Sequence, residues 1–162
     1  MTLKRRILWV EDSADSDLSP LAAWVYLDGR YELVVAPDVS EAVERSCREE
    51  FAAMIVDIRL PPGRDPRWLG LYKKMTAGGV APNLGLQMIR SLLGHDTAEI
   101  KIEPPPAWLS PEKIAVFTID CHGALLKALG ELGIEVIRQK QAGQPQTALL
   151  DIILETCPDQ SP

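Results

Sequence analysis

Cysteine is scarce in this 162-residue chain and histidine scarcer still. Cys47, Cys121 and Cys157 are odd in number, widely spaced and without a CxxC pair, which argues against both a disulfide framework and a zinc site. They are expected to be buried or idle thiols. His95 and His122 have no partner at metal-ligand spacing and default to structural or surface roles. No apolar stretch approaches the ~20 residues of a membrane span, so no membrane association is expected. The start, Met1 to Arg6, leads into only four apolar residues before acids appear, unlike an export signal, and a cytoplasmic protein is expected. Basic charge is also lacking. With 17 Lys and Arg against 23 Asp and Glu, a net charge of -6 and a pI near 4.9, the chain is a poor binder of phosphate backbones, and no nucleic-acid partner is expected.

What is present is ordinary globular composition, 46% hydrophobic and 25% charged, in a length that suits one domain with a real core and no second output domain. Four short apolar runs each stop at polar residues. Ile7-Leu8-Trp9-Val10 stops on Glu11-Asp12, Met54-Ile55-Val56 on Asp57, Ala115-Val116-Phe117 on Thr118, and Val136-Ile137 shortly before Lys140. Strands separated by helical stretches predict βαβ units and a parallel sheet. In such sheets ligands bind at the carboxyl edge of the strands, so these polar ends would meet in one place.

The patterning predicts strands over 6–10, 31–36, 52–58, 114–119 and 135–138, the third buried on both faces and central in the sheet. Ser19-Pro20 predicts a helix start, with Leu21, Trp24, Val25 and Leu27 as its apolar face and Gly29 as its stop. A second helix over 40–50 would bury Val39, Ala42, Val43 and Cys47. Leu84, Met88, Ile89, Leu92 and Leu93 mark a helix ending at Gly94, and two more are expected over 123–132 and 146–156. Between them lie two irregular stretches. Residues 64–82, after Leu60-Pro61-Pro62-Gly63, suggest an excursion with one short helix, and 95–112, with Pro104-Pro105-Pro106, a surface path. The triple proline alone is weak as a ligand motif. Residues 159–162 are expected to fray.

The strand ends suggest phosphoryl chemistry. A carboxylate can attack phosphorus and become an aspartyl phosphate when cations offset the repulsion, and Asp57 is placed for that. Glu11 and Asp12 on the neighbouring strand suit Mg2+, a hard ion that favours carboxylate and phosphate oxygens. Thr118 can donate its hydroxyl to a phosphoryl oxygen, and Lys140 can offer a point charge to another.

These residues bring the chain to a family it resembles, the receiver domains of bacterial two-component response regulators. Residues 7–12 (ILWVED) resemble the family's first-strand acidic pair, residues 36–42 (APDVSEA) its acidic turn and second-helix start, and residues 54–61 (MIVDIRLP) its phosphoacceptor strand with the proline that follows. Gly85-Leu86 with Met88-Ile89-Arg90 resembles the glycine-led third helix, and Phe117-Thr118 the strand ending in a hydroxyl. Thr118 and Lys140 lie 22 positions apart, with Gly133 seven before the lysine, as in the family.

The resemblance implies a flavodoxin-like (βα)5 three-layer α/β sandwich with a parallel five-stranded sheet of order 2-1-3-4-5. It spans 1–158 as a single receiver domain, with insertions at about 63–82 and 95–112 and a tail over 159–162. It implies Asp57 as phosphoacceptor assisted by Thr118 and Lys140, and Mg2+ held by Glu11, Asp12, Asp57 and the main-chain carbonyl of Arg59. The implied partners are a histidine kinase or histidine phosphotransfer protein as donor and a downstream protein as reader. The contact surface would be residues 121–156, the first place to search for a partner or a homodimer seam. No enzymatic activity beyond its own Mg-dependent phosphorylation and dephosphorylation is expected.

The chain departs from the family at Gln141 (usually proline), at Ile137 (often the inward-turning Tyr or Phe) and at Ile119 (usually small). Ile119 is expected to narrow the approach to Asp57 and slow phosphoryl turnover. The first insertion suggests either a partial lid or partner surface or a tolerated surface loop, and Arg59 and Asp120 are expected to pair across the mouth of the site. Two other classes stay open: a degenerate receiver that works without phosphate, and an aspartyl-nucleophile phosphohydrolase of the haloacid-dehalogenase kind. The latter needs a second acid two residues after the nucleophile, where Arg59 stands.

Overall fold

Three strands are apolar along almost their whole length because both of their faces are covered. In the structure, a computed structural model describing residues 3–158, β1 (Arg5–Val10), β3 (Ala53–Val56) and β4 (Ile114–Thr118) fill the middle of one sheet. The edges are β2 (Tyr31–Ala36) and β5 (Val136–Gln139), and β5 ends exposed. All pairings are parallel and the order is β2-β1-β3-β4-β5, with β3 in the centre. The predicted order is therefore the observed one. The expected fraying of 159–162 lies outside the described residues.

Alternation along the strands sends side chains to two separate cores. Leu8, Val10, Met54, Val56, Ile114 and Val116 face one side, where α2 (Val39–Arg48), α4 (Leu84–Leu92) and α5 (Gly123–Glu131) cover them. Ile7, Trp9, Ala53, Ile55, Ala115 and Phe117 face the other, under α1 (Ser19–Asp28) and α6 (Ala148–Thr156). The result is a three-layer sandwich. Among the described residues no helix is long and apolar enough to cross a membrane.

The sixth helix, α3 (Pro66–Ala77), is twelve residues long and lies in the first long connection. Asp65 caps it by accepting from Arg67 N at 2.9 Å. Trp68 is fully buried, Leu71 nearly so, and Tyr72 and Met75 pack against the α2/α4/α5 core. The loop before it is pinned to α2. Ser40 Oγ donates to Pro62 O at 2.5 Å and accepts from Asp65 N at 2.9 Å. Gly63 makes this path possible: its φ is 78°, and a Cβ there would lie 2.3 Å from Asp38 Oδ1.

The second long connection packs on the same side of the sheet. Ile100 and Leu109 are buried, and Trp108 donates from Nε1 to Ser46 O at 2.8 Å and meets Phe51 edge-on with centroids 5.6 Å apart. Apart from one 3-10 turn at Pro111–Lys113 it is irregular, and Pro104 and Pro105 are exposed, as expected of a surface path.

Several local expectations need correction. Ser19 is the first residue of α1 and not its cap, a position taken by Leu18 with no side-chain bond. Only Leu21 and Val25 of the expected apolar face are buried. Leu27 is 76% exposed, and Trp24 turns its Nε1 to Gln146 Oε1 at 2.9 Å. In α2 the cap is Asp38, which accepts from Glu41 N at 2.8 Å, so the helix starts at Val39. Its phase exposes Cys47 and buries Ser46, whose hydroxyl donates to Ala42 O at 2.7 Å and so needs no water.

Candidate functional site

The sheet's hydrogen bonding runs one residue past β1, β3 and β5 and fixes where the chain leaves each strand. Glu11 N donates to Ala36 O at 3.0 Å, Asp57 N to Val10 O at 3.0 Å, and Lys140 N to Thr118 O at 2.9 Å. Glu11 and Asp57 thus leave the neighbouring strands β1 and β3, and Lys140 leaves β5 on the far side of β4, all at the carboxyl edge. Lys140 Nζ donates to Asp57 Oδ2 at 2.9 Å and also to Glu11 Oε2 in a short contact. All three side chains are at least nine-tenths buried: the lysine is 10% exposed, Glu11 2% and Asp57 9%. A single ammonium therefore holds together two carboxylates from strand ends 46 residues apart in sequence.

The second oxygen of each carboxylate is met by backbone. Ile58 N donates to Asp57 Oδ1 at 2.7 Å, and Ser13 N to Glu11 Oε1 at 3.1 Å. Burial pushes the Glu11 carboxyl up to about 7, and the charge of Asp57 adds to the rise, while the bond from Lys140 opposes it. Thr118 is fully buried at the end of β4, and its Oγ1 accepts from Asp120 N at 3.2 Å.

Asp12 is exposed, yet it can offer a carboxylate oxygen to the same point as Glu11 and Asp57. Ligand oxygens of the three lie within 4.8 Å of one another. The set is all oxygen and all carboxylate, which fits a hard divalent cation such as Mg2+ or Ca2+ and not a soft one. Arg59 turns its guanidinium away from these acids to Asp120, Nε to Oδ2 at 2.5 Å. The pair bridges the positions two beyond Asp57 and two beyond Thr118, as the sequence predicts. Beside it, Asp12, Arg59, Tyr72, Ala81 and Pro82 border a pocket of about 370 Å³, so residues of the first long connection form one wall of the mouth. Ile119, expected to narrow that mouth, is 65% exposed.

One residue of the site was legible only as part of a motif. At Gly85 in the first turn of α4 a Cβ would lie 2.1 Å from Asp57 O and 2.7 Å from Ile58 Cα, and Gly85 N donates to Ile58 O at 2.9 Å. The helix backbone rests directly on the backbone of the central carboxylate. No side chain fits between them.

No protein-family model and no curated protein matches the chain. Solved structures do. A CheY-like response regulator receiver domain protein from Methanospirillum hungatei superposes with a TM-score of 0.60 at 18% identity, covering 96% of this chain and 94% of that one. The BeF3-activated N-terminal receiver domain of RstA from Klebsiella pneumoniae gives 0.56 at 22% identity, covering 93% and 97%. A response regulator from Burkholderia pseudomallei, solved with a phosphorylated aspartic acid, calcium ion and citrate, gives 0.58 at 19% identity, covering 92% and 66%. Strand order, layering and these superpositions agree: the chain has the fold of a CheY-like response regulator receiver domain.

Proposed function

We propose that this chain is a phosphoacceptor receiver: Asp57 takes a phosphoryl group from a histidine kinase or histidine phosphotransfer protein, and the changed surface alters binding to a downstream protein. The observation that carries this reading is the buried Glu11–Lys140–Asp57 triad with Asp12 beside it. A carboxylate oxygen of Asp57 attacks phosphorus as the bond to the donor imidazole breaks, and that bonding pair returns to the imidazole nitrogen. Asp57 Oδ2 is held by Lys140 and Oδ1 by Ile58 N, one bond to each oxygen, so either oxygen keeps a second lone pair with which to attack. Lys140 then has a phosphoryl oxygen within reach, and the Thr118 hydroxyl retains a proton to donate to another.

Glu11, Asp12, Asp57 and the main-chain carbonyl of Arg59 would hold a divalent cation, Mg2+ in the cell, which would neutralise charge on the transferring group. The reading places the protein in the cytoplasm. It assigns no turnover of an outside substrate, since Arg59, paired to Asp120, supplies no acid of the kind a phosphohydrolase needs.

Acetyl phosphate with Mg2+, followed by intact-mass measurement of wild type and Asp57→Asn, tests the proposal. One added phosphoryl group on wild type and none on the variant is expected. No Asp57-dependent gain would favour the second reading, a receiver that works without phosphate. That reading draws on Ile137, which is half-buried against the α2/α4/α5 core where an aromatic side chain often turns inward.

A further inference from the structure

A second concavity, about 420 Å³, opens between α4 and α5, away from the cation-binding acids. Ile58, Leu86 and Leu125, each under 5% exposed, form its floor, and Ala128, with Val80 and Pro82 at the end of the first long connection, supplies the accessible apolar surface. Val80 is 55% exposed. The polar groups around it are unequal. Asp120 is already held by Arg59, and Asn83 Oδ1 accepts from Gln87 Nε2 at 3.2 Å, which leaves the Asn83 amide hydrogens unengaged. Arg90, half-buried in the groove, has no carboxylate or other side-chain partner among the described residues. In a chain where acids outnumber bases 23 to 17, an arginine left without an acid beside an apolar groove calls for one from outside.

We propose that this groove docks a short segment of a partner protein carrying apolar side chains and a carboxylate, which pairs with Arg90, and that docking is coupled to the state of Asp57. The coupling, which rests on the phosphoacceptor reading above, has a short physical route. Ile58 lines the groove and donates its N–H to Asp57 Oδ1. Gly85 N bonds Ile58 O, with no room for a side chain between, so a shift of residues 57–58 carries the start of α4 with it. That helix bears Leu86 and Arg90. On the opposite wall Asp120 is tied to Arg59, two residues beyond Asp57. Both walls of the groove are thereby bonded to the strand end that would be phosphorylated.

The test selects a random phage-displayed peptide library on the full chain and measures the recovered peptides against wild type and three variants. Peptides enriched in Asp or Glu together with Leu, Ile or Phe are expected. Their affinity should fall about tenfold or more in Arg90→Glu and in Ala124→Trp, which fills the groove from an exposed position on α5, and stay within about twofold in Lys127→Glu outside it.

Failure to recover binders, binders indifferent to both groove variants, or binders poor in acids would overturn the docking proposal. So would a dimer of the free chain that Ala124→Trp dissolves, because the occupant would then be a second copy. For the coupling, beryllofluoride with Mg2+ should change peptide affinity about fivefold or more in wild type and leave Asp57→Asn unchanged. An unchanged affinity in a protein whose Asp57 does take phosphoryl by mass overturns the coupling alone. If Asp57 takes none, the phosphoacceptor reading and the coupling fall together, while the peptide measurements decide the docking independently.

Discussion

Lys140 Nζ sits 2.9 Å from Asp57 Oδ2 and holds Glu11 as well, so one cation is shared by two carboxylates in a site nearly closed to water. Removing one partner from such a set leaves buried charge uncompensated, which costs about 3–5 kcal/mol when nothing relaxes. Glu11 can relax by taking a proton. Lys140→Met is therefore expected to lose about 2–4 kcal/mol of stability at pH 8 and clearly less at pH 5. Urea unfolding at the two pH values checks this, and an equal loss at both would contradict it.

Stability of the cation-free protein should itself depend on pH through Glu11. Its carboxyl is raised from 4.5 to about 7 in the fold, chiefly by burial, so the folded state binds a proton that the unfolded chain gives up earlier. The stability tied to that proton is fully present below about 4.5 and is lost as pH rises through about 7. Asp28, Glu49 and Asp65 behave in the opposite sense. Arginine partners hold them below the usual carboxylate range, and what they contribute is lost only as pH falls toward the acid side. Thermal midpoints of wild type and Glu11→Gln between pH 4.5 and 8 separate the two. The variant should show a flat profile where wild type declines, and parallel profiles would refute the assignment.

The Arg59–Asp120 pair is exposed on the arginine side, 64%, so it contributes little to stability. Arg59→Ala is expected to leave the unfolding midpoint close to wild type while altering the lifetime of any phosphoryl group on Asp57, because the pair bridges the mouth. Phosphoryl decay followed by mass after removal of acetyl phosphate reads the effect. A lifetime equal to wild type would show that the pair does not control access.

Helix α3 is anchored in the core through Trp68, which is fully buried. Trp68→Ala should cost about 3–5 kcal/mol. Limited proteolysis should then cut within residues 64–82 before the rest of the chain. A variant that stays resistant there and loses under about 1 kcal/mol would mean the helix is dispensable to the core.

The central strands were legible because a parallel strand buried on both faces leaves no choice but an apolar run, as in residues 53–56, and each run stops at the carboxyl edge on a buried polar residue, Glu11, Asp57 or Thr118. The edge of the sheet followed from that. Helix faces were less legible. Trp24 and Leu27 look like core in the sequence, yet α1 lies over only Leu21 and Val25, and nothing local distinguishes the two pairs. Ser46 reads as surface and is buried, because its hydroxyl is met within its own helix. The contacts that organise the site are long-range: Lys140 and Glu11 are 129 residues apart, and their bond follows only once the strand order is known. Trp68 carried no sign of where it would dock, since its pocket is built by residues from other elements.

Both long connections lie against the α2/α4/α5 side, so the other side of the sheet is covered by α1 and α6 alone. The sheet stands between the two sides as a wall roughly 10 Å from the layer on either face. A protein resting on α1 and α6 would meet none of the residues that line the groove between α4 and α5, so the two would not compete for the same side chains.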